Sequence, residues 1–333
     1  MKNKYLIAII SVITLFVLAG CSGSKAKDSK QITLRFAYAS NSQPVIDSMK
    51  KFGDIIEKRT NGEVKVEYFP DGQLGGETEL IELTQTGGID FTKVSGSALE
   101  GFSKDYAIFG LPYLFDSEKH FYDVMENKKI MDPIYQSTKD LGFVGLTYYD
   151  SGQRSFYMKS GPVTKLSDLK GKKIRTMQSE TAIKMVQLLG GSAVPMGSGE
   201  VFTSLQANLI DGAENNEFVL YTAGHGAVAK YYSYDEHTRV PDIVIMSDSV
   251  KERLSKEQYQ IVLDAAKEST EYEKKVFKEA VEKEKKIATE KFGVKYNKVD
   301  NTEFQKAVQP LHDQFKDNPK YSELYKEIRD MAK

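Results

Sequence analysis

From Ser255 to Phe292 the chain runs 38 residues without a glycine or a proline. At ~1.5 Å per residue such a segment makes one helix of about 57 Å, longer than a small domain is wide. Ser255 followed by Gln258 forms a capping box at its start, and the next glycine is Gly293. Tyr259, Val262, Ala266, Phe277, Ala280 and Ile287 recur at roughly helical spacing among many charges. A coiled coil is the simplest alternative, but the heptad breaks at Ser269-Thr270 and again in the charged run Glu282 to Lys286. A strut laid across two lobes fits the pattern better.

Upstream, the chain offers two α/β runs. In the first, Ile32 to Tyr38 reads as a strand, Gln43 to Thr60 as a helix and Glu63 to Tyr68 as a half-exposed strand. A helix follows Gly75-Gly76, and Gly87-Gly88 stops it before an apolar strand around Ile89 to Val94. The second begins near Asp150, with a strand Lys173 to Thr176, a helix Glu180 to Leu189, a strand Ala193 to Met196 and a helix Glu200 to Gln206. The alternation predicts an α/β fold with two facing lobes. A chain of 333 residues, 40% hydrophobic with 19 Tyr and 17 Phe, is large enough to build both cores. No repeat of solenoid length is present.

The first thirty residues belong to neither lobe. Lys2 and Lys4 precede an apolar run from Tyr5 to Ala19, which at 15 residues is short for a membrane span of ~20. Leu18-Ala19-Gly20-Cys21 looks like a lipobox, so residues 1–20 are expected to be a lipoprotein signal peptide and Cys21 the acylated anchor. A buried cysteine in an uncleaved anchor is the other reading. Residues 21–31 are small and polar, as a tether is. The expected location is outside the cytoplasm, lipid-anchored at the outer face of the cell membrane or in the periplasm.

Several chemistries are excluded or lack support. Lys plus Arg number 46 against 47 Asp plus Glu, so no basic excess exists for nucleic acid. One cysteine and four histidines scattered at 120, 225, 237 and 312 do not make a His/Cys metal site. No P-loop, HExxH, GxSxG or GxGxxG occurs. Nothing in the sequence points to an enzyme, a cofactor or a resident metal.

An ordered set of segments carries a family resemblance. Thr60-Asn61-Gly62, Tyr68-Phe69-Pro70-Asp71-Gly72-Gln73-Leu74-Gly75-Gly76-Glu77 and Leu111-Pro112-Tyr113-Leu114-Phe115 resemble the first lobe of TRAP-transporter solute-binding proteins of the DctP type. In the second lobe, Leu169 to Arg175, Val194-Pro195-Met196, Glu200-Val201-Phe202, Leu205-Gln206 and Asp211 to Asn215 follow in the family's order. Where that family usually has a proline after the last asparagine, this chain has Asn216.

The resemblance implies a two-lobed periplasmic-binding-protein fold of the type II, Venus-flytrap kind, with the long helix spanning both lobes. Residues 32–151 and about 241–280 are expected in lobe I, and 152–240 and about 281–333 in lobe II. It also implies a carboxylate-bearing small molecule as ligand and the membrane subunits of a TRAP permease, driven by an ion gradient, as partner.

By that resemblance Arg175, at the end of a predicted strand, is the carboxylate-binding arginine. A guanidinium presents parallel donors that match both carboxylate oxygens, although a surface salt bridge is its default reading without the resemblance. Arg154 is expected to share the carboxylate, bind a hydroxyl or hold the hinge strand. Asn215 offers an amide donor and acceptor, or forms an Asx turn. Asn41, Gln43, Glu77, Ser95, Gln153 and His237 complete the candidate contacts, with Glu77 also readable as a helix-dipole partner. Several hydroxyl-reading side chains favour a sugar acid such as a hexuronate. A C4-dicarboxylate, a ligand-presenting sensor for a membrane kinase and a surface hydrolase stand as alternatives.

Overall fold

Two sheets form, and the chain passes between them twice as extended strand connections and once as a helix. The computed structural model describes residues 31–39 and 42–332; the expected signal peptide, Cys21 and Asn41 lie outside the described residues. The strands are β1 (Ile32–Tyr38), β2 (Val64–Phe69), β3 (Phe91–Ser95), β4 (Phe143–Tyr149), β5 (Arg154–Met158), β6 (Lys173–Thr176), β7 (Ser192–Pro195), β8 (Gly212–Asn215), β9 (Tyr231–Thr238), β10 (Asp242–Ser247) and β11 (Lys295–Lys298). The first sheet has the order β2-β1-β3-β10-β4 and the second β11-β9-β5-β8-β6-β7.

In the first lobe, β1 pairs in parallel with β2 and β3, the connections being the helices Gln43–Arg59 and Glu77–Gln85. The apolar side chains of these elements (Leu34, Phe36, Phe52, Phe91) close one core against Val262, Ala265 and Ala266 of the long helix. Elements expected from the sequence lie within about two residues of the observed ones, the usual uncertainty of element ends. β10 was not foreseen as a partner for β3 and β4. It returns from the second lobe and inserts antiparallel between them.

The long helix is Lys256–Phe292, 37 residues, opened by the Ser255–Gln258 capping box and closed by Gly293 in the left-handed conformation. Its first half is bound to the first lobe: Glu268 pairs with Arg59 at 2.7 Å, and Thr270 Oγ1 donates to the Tyr148 carbonyl at 2.8 Å. Midway, the Phe277 ring meets Phe218 of the second lobe with centroids 4.9 Å apart. Further on, Ala288 packs in the second lobe's core with Tyr157 and Tyr232. The helix is therefore a two-lobe strut and not a coiled coil.

The extended connections, residues 150–153 and 239–241, lie side by side. Ser151 Oγ donates to the Val240 carbonyl at 2.6 Å, and the Arg239 guanidinium pairs with buried Asp150. The C-terminal segment packs in two places. β11 joins β9 in the second sheet, whereas the helices Gln309–Asp317 and Ser322–Asp330 hold the segment around residues 105–129. His312 Nε2 meets the Pro112 carbonyl at 2.7 Å, His120 Nε2 the Ile328 carbonyl at 2.7 Å, and Lys320 pairs with Asp105 at 2.6 Å. Among the described residues no helix is long and apolar enough to cross a membrane.

Candidate ligand-binding cleft

Between the lobes lies a cavity of about 730 Å³, within the usual range of small-molecule sites. It opens at the carboxyl ends of the parallel strands, where crevice sites of α/β lobes are expected. Of the sequence-based candidates, Arg175, Arg154, Asn215, Glu77 and Ser95 line it. Gln43, Gln153 and His237 are not among the residues that line it. Gln43 is exposed in the first helical turn, where its amide bonds to Asp47 at 2.8 Å. Gln153 is turned to the Glu236 carbonyl at 2.8 Å, and His237 is fully buried beneath the cleft wall.

Arg175 projects from β6 and is only 4% exposed. Its Nε and Nη2 donate to the Met196 carbonyl at 3.0 and 2.7 Å. That fixes one edge of the guanidinium and leaves its end, Nη1 with the second Nη2 proton, for a ligand. No carboxylate pairs with it among the described residues. Burial pulls its pKa below the usual value, and the neighbouring Arg154 charge adds to this against the opposing pull of Glu214.

Arg154, at the start of β5, has most of its donors committed. Nε and Nη2 bind the Glu214 carboxylate at 2.6 and 2.9 Å, Nη2 also binds the Glu214 carbonyl, and Nη1 donates to Asn215 Oδ1 at 2.8 Å. One Nη1 proton remains. Glu214 also accepts from His237 Nε2 at 3.3 Å, and His237 Nδ1 reaches Asp235 at 2.8 Å. Burial alone would push the imidazole towards neutrality, but Asp235 and then Glu214 outweigh it and lift His237 to about 9. Burial likewise opposes ionisation of Glu214, yet Arg154 and His237 bring it down to about 2. The buried charges thus pair off as two cations with two anions, and the arrangement presents Asn215 to the cavity.

Asn215 Oδ1 accepts from Arg154 and from the Asn216 backbone N–H at 2.9 Å. A proline at 216 would lack that N–H. Asn216 also donates its side-chain amide to the Ser151 carbonyl and accepts from Phe218 N at 3.0 Å, tying the end of β8 to the strand connection. The departure from the family pattern therefore adds hydrogen bonds to the turn.

On the opposite wall, Glu77 opens its helix and accepts from the Ser95 N–H and hydroxyl at 2.8 and 2.7 Å. Sequence reading missed Lys93 and Asp242, which pair at 2.8 Å at the cleft surface. A lysine inside the apolar run Ile89 to Val94 was the available signal. It also missed His225, whose Nδ1 meets the Tyr157 hydroxyl at 2.8 Å. Burial and then the Arg175 charge lower His225 to about 4, so it is neutral at physiological pH. No group of His, Cys, Asp or Glu able to hold a metal ion occurs among the described residues.

The bacterial extracellular solute-binding protein family 7, DctP, matches residues 36–318. The uncharacterized protein YiiZ of Salmonella typhimurium is 51% identical over 296 residues, 89% of this chain and 90% of that protein. The 2,3-diketo-L-gulonate-binding periplasmic protein YiaO of Escherichia coli is 30% identical, covering 81% of this chain and 82% of its own. Two solved TRAP periplasmic solute-binding proteins superpose closely. One, from Anaerococcus prevotii with bound D-glucuronate, has a TM-score of 0.87 at 40% identity, covering 90% of this chain and 98% of its own. The other, from Xanthobacter autotrophicus with bound β-D-galacturonate, has 0.85 at 37%, covering 89% and 99%. With the two-lobed fold, the spanning helix and a cleft arginine on β6, these matches establish that the chain belongs to the DctP family of TRAP-transporter solute-binding proteins.

Proposed function

We propose that this receptor captures a hexuronate. The observation that carries the reading is Arg175, a nearly buried cation without a carboxylate partner among the described residues, set in the cleft between the lobes. Leaving such a charge unpaired is costly, and a ligand carboxylate would supply the missing partner with bidentate geometry. Arg154 acts mainly by positioning Asn215, which offers its amide to the ligand. The solved relatives with bound D-glucuronate and D-galacturonate support a sugar acid as the class.

A ligand that bridges both walls favours the closed form by its differential affinity. The closed receptor would deliver its cargo unchanged to the membrane subunits of a TRAP permease. An acylated Cys21 would hold it at the membrane through the short polar tether, with more than one acyl chain needed for a stable anchor.

Isothermal titration calorimetry of the protein with D-glucuronate, D-galacturonate and D-glucose tests the assignment. The two acids should bind, glucose should not, and the bound acid should be recovered chemically intact. Glucose binding as tightly as the acids, or silence from both uronates, would sink the reading.

A further inference from the structure

The cleft wall opposite Arg175 carries charge of the other sign. Among the described residues, the first-lobe lining presents four carboxylates, Asp71, Glu77, Glu79 and Asp242, and one cation, Lys93. That cation is already matched: its Nζ lies 2.8 Å from Asp242 Oδ2, and the two side chains are only 6% and 11% exposed. Lys93 stands on β3, and Asp242 is the first residue of β10, directly opposite Ser95 in the ladder. Both are therefore held by the middle of a sheet and not by a loop.

An ammonium has three protons and a carboxylate about four acceptor sites, so each member keeps capacity beyond the other. The pair offers a donor beside an acceptor, which suits the adjacent hydroxyls of a sugar ring because a hydroxyl both accepts and donates. A second carboxylate fits this wall badly. To reach Lys93 it must displace Asp242, and it then faces that carboxylate and half-buried Glu77, with Asp71 and Glu79 further out at the exposed rim. Like charges brought together there discriminate by repulsion, without any loss of affinity for the correct ligand.

We propose that the Lys93–Asp242 pair, within its acidic wall, is the specificity determinant that admits a polyhydroxy monocarboxylate and rejects a dicarboxylate. The proposal rests on the hexuronate reading, in which Arg175 takes the single carboxylate.

Calorimetric titration of the full protein with D-glucuronate, D-glucarate and succinate separates the two ideas. Glucarate carries a second carboxylate on a similar hydroxylated chain, and succinate carries two with no hydroxyls. Glucuronate should bind about tenfold or more tighter than either. In Asp242→Asn, glucuronate should weaken by about 10- to 100-fold, the range of a lost charge-assisted hydrogen bond, while glucarate and succinate bind more tightly than to the parent. Should Asp242→Asn fold poorly, Lys93→Gln breaks the same pair from the other side and should likewise narrow the preference for glucuronate; an unchanged preference in a folded variant of either kind would overturn the assignment to this pair. Glucarate or succinate binding as well as glucuronate to the unaltered protein would overturn the selectivity proposal and leave the hexuronate reading standing. Silence from both glucuronate and galacturonate would overturn that reading and the proposal together.

Discussion

Both carboxylate oxygens of Glu214 accept from the Arg154 guanidinium, Oε2 at 2.6 Å from Nε and Oε1 at 2.9 Å from Nη2. Removing the charge of one partner in a buried pair leaves the other uncompensated, at a cost of about 3–5 kcal/mol. Glu214→Gln should therefore lower the unfolding free energy by an amount in that range, measured by urea denaturation. A loss below about 1 kcal/mol would show that Arg154 finds another partner.

The same cluster sets a pH response. His237 is lifted from an ordinary 6.5 to about 9, so its contribution to stability is complete below pH 6.5 and disappears as pH rises through about 9. Glu214 is lowered from 4.5 to about 2, so its contribution is complete above pH 4.5 and disappears as pH falls through about 2. Stability should be flat between those limits for these two groups and decline by a few kcal/mol towards pH 9. Denaturation midpoints across the alkaline range, with His237→Gln as comparison, check this. An equally steep decline in the variant would place its origin elsewhere.

Arg175 should matter for binding far more than for folding. Arg175→Ala is expected to weaken D-glucuronate by about 2–5 kcal/mol, roughly 30- to several-thousand-fold. The ligand-free protein should unfold within about 2 kcal/mol of the parent, because the two hydrogen bonds to the Met196 carbonyl are lost while the cost of burying an unpaired charge is relieved. Arg175→Lys should rescue little, because an ammonium lacks the planar fork. Full rescue by lysine would argue that charge alone suffices.

The division between what was readable in the sequence and what was not follows sequence distance. The long helix was visible because its capping box and its freedom from glycine and proline are local facts, and the structure places them as expected. Arg175 and Asn215 stood in ordered motifs. Lys93 and Asp242 belong together only because β10 returns across 149 residues to lie beside β3, and no local pattern encodes that pairing. His237 stands two residues from Asp235, a local fact, but its second partner Glu214 lies on another strand 23 residues away, so the buried cluster could not be read from the sequence.

Glu273 of the long helix is fully buried where the lobes join, and accepts the Asp150 N–H at 3.2 Å through Oε2. Its Oε1 has no partner among the described residues. Burial, then the Asp150 charge, hold its pKa well above 4.5, so its favourable contribution is complete below pH 4.5 and is lost as pH rises through the folded value. Glu273→Gln keeps the shape and an acceptor while removing the ionisation. It should raise stability at neutral pH by the order of 1 kcal/mol or more, read from thermal unfolding. A destabilised Gln variant would mean that the carboxyl form makes a contact the amide cannot.

Gly152 lies in the first strand connection with φ +75°, and a Cβ there would sit 3.2 Å from the Phe277 ring and 3.4 Å from Asn216 Cβ. Gly152→Ala should cost about 1–2 kcal/mol from the left-handed backbone alone. Denaturant titration provides the check, and an unchanged midpoint would show that the connection relaxes freely.

The position of β10 governs the order in which the molecule can be assembled. β3 and β4 each pair with it and not with one another, so the first sheet remains open in the middle until residues 242–247 arrive. By then the chain has already delivered nine earlier strands, including most of the second sheet. The second sheet in turn waits for β11 at residues 295–298, so each sheet is completed by a strand made after the other has begun, and pairings so distant along the chain form slowly. Until residues 242–247 arrive, the amino-terminal half of the chain holds no complete sheet, whatever local helices and strand pairs have already formed.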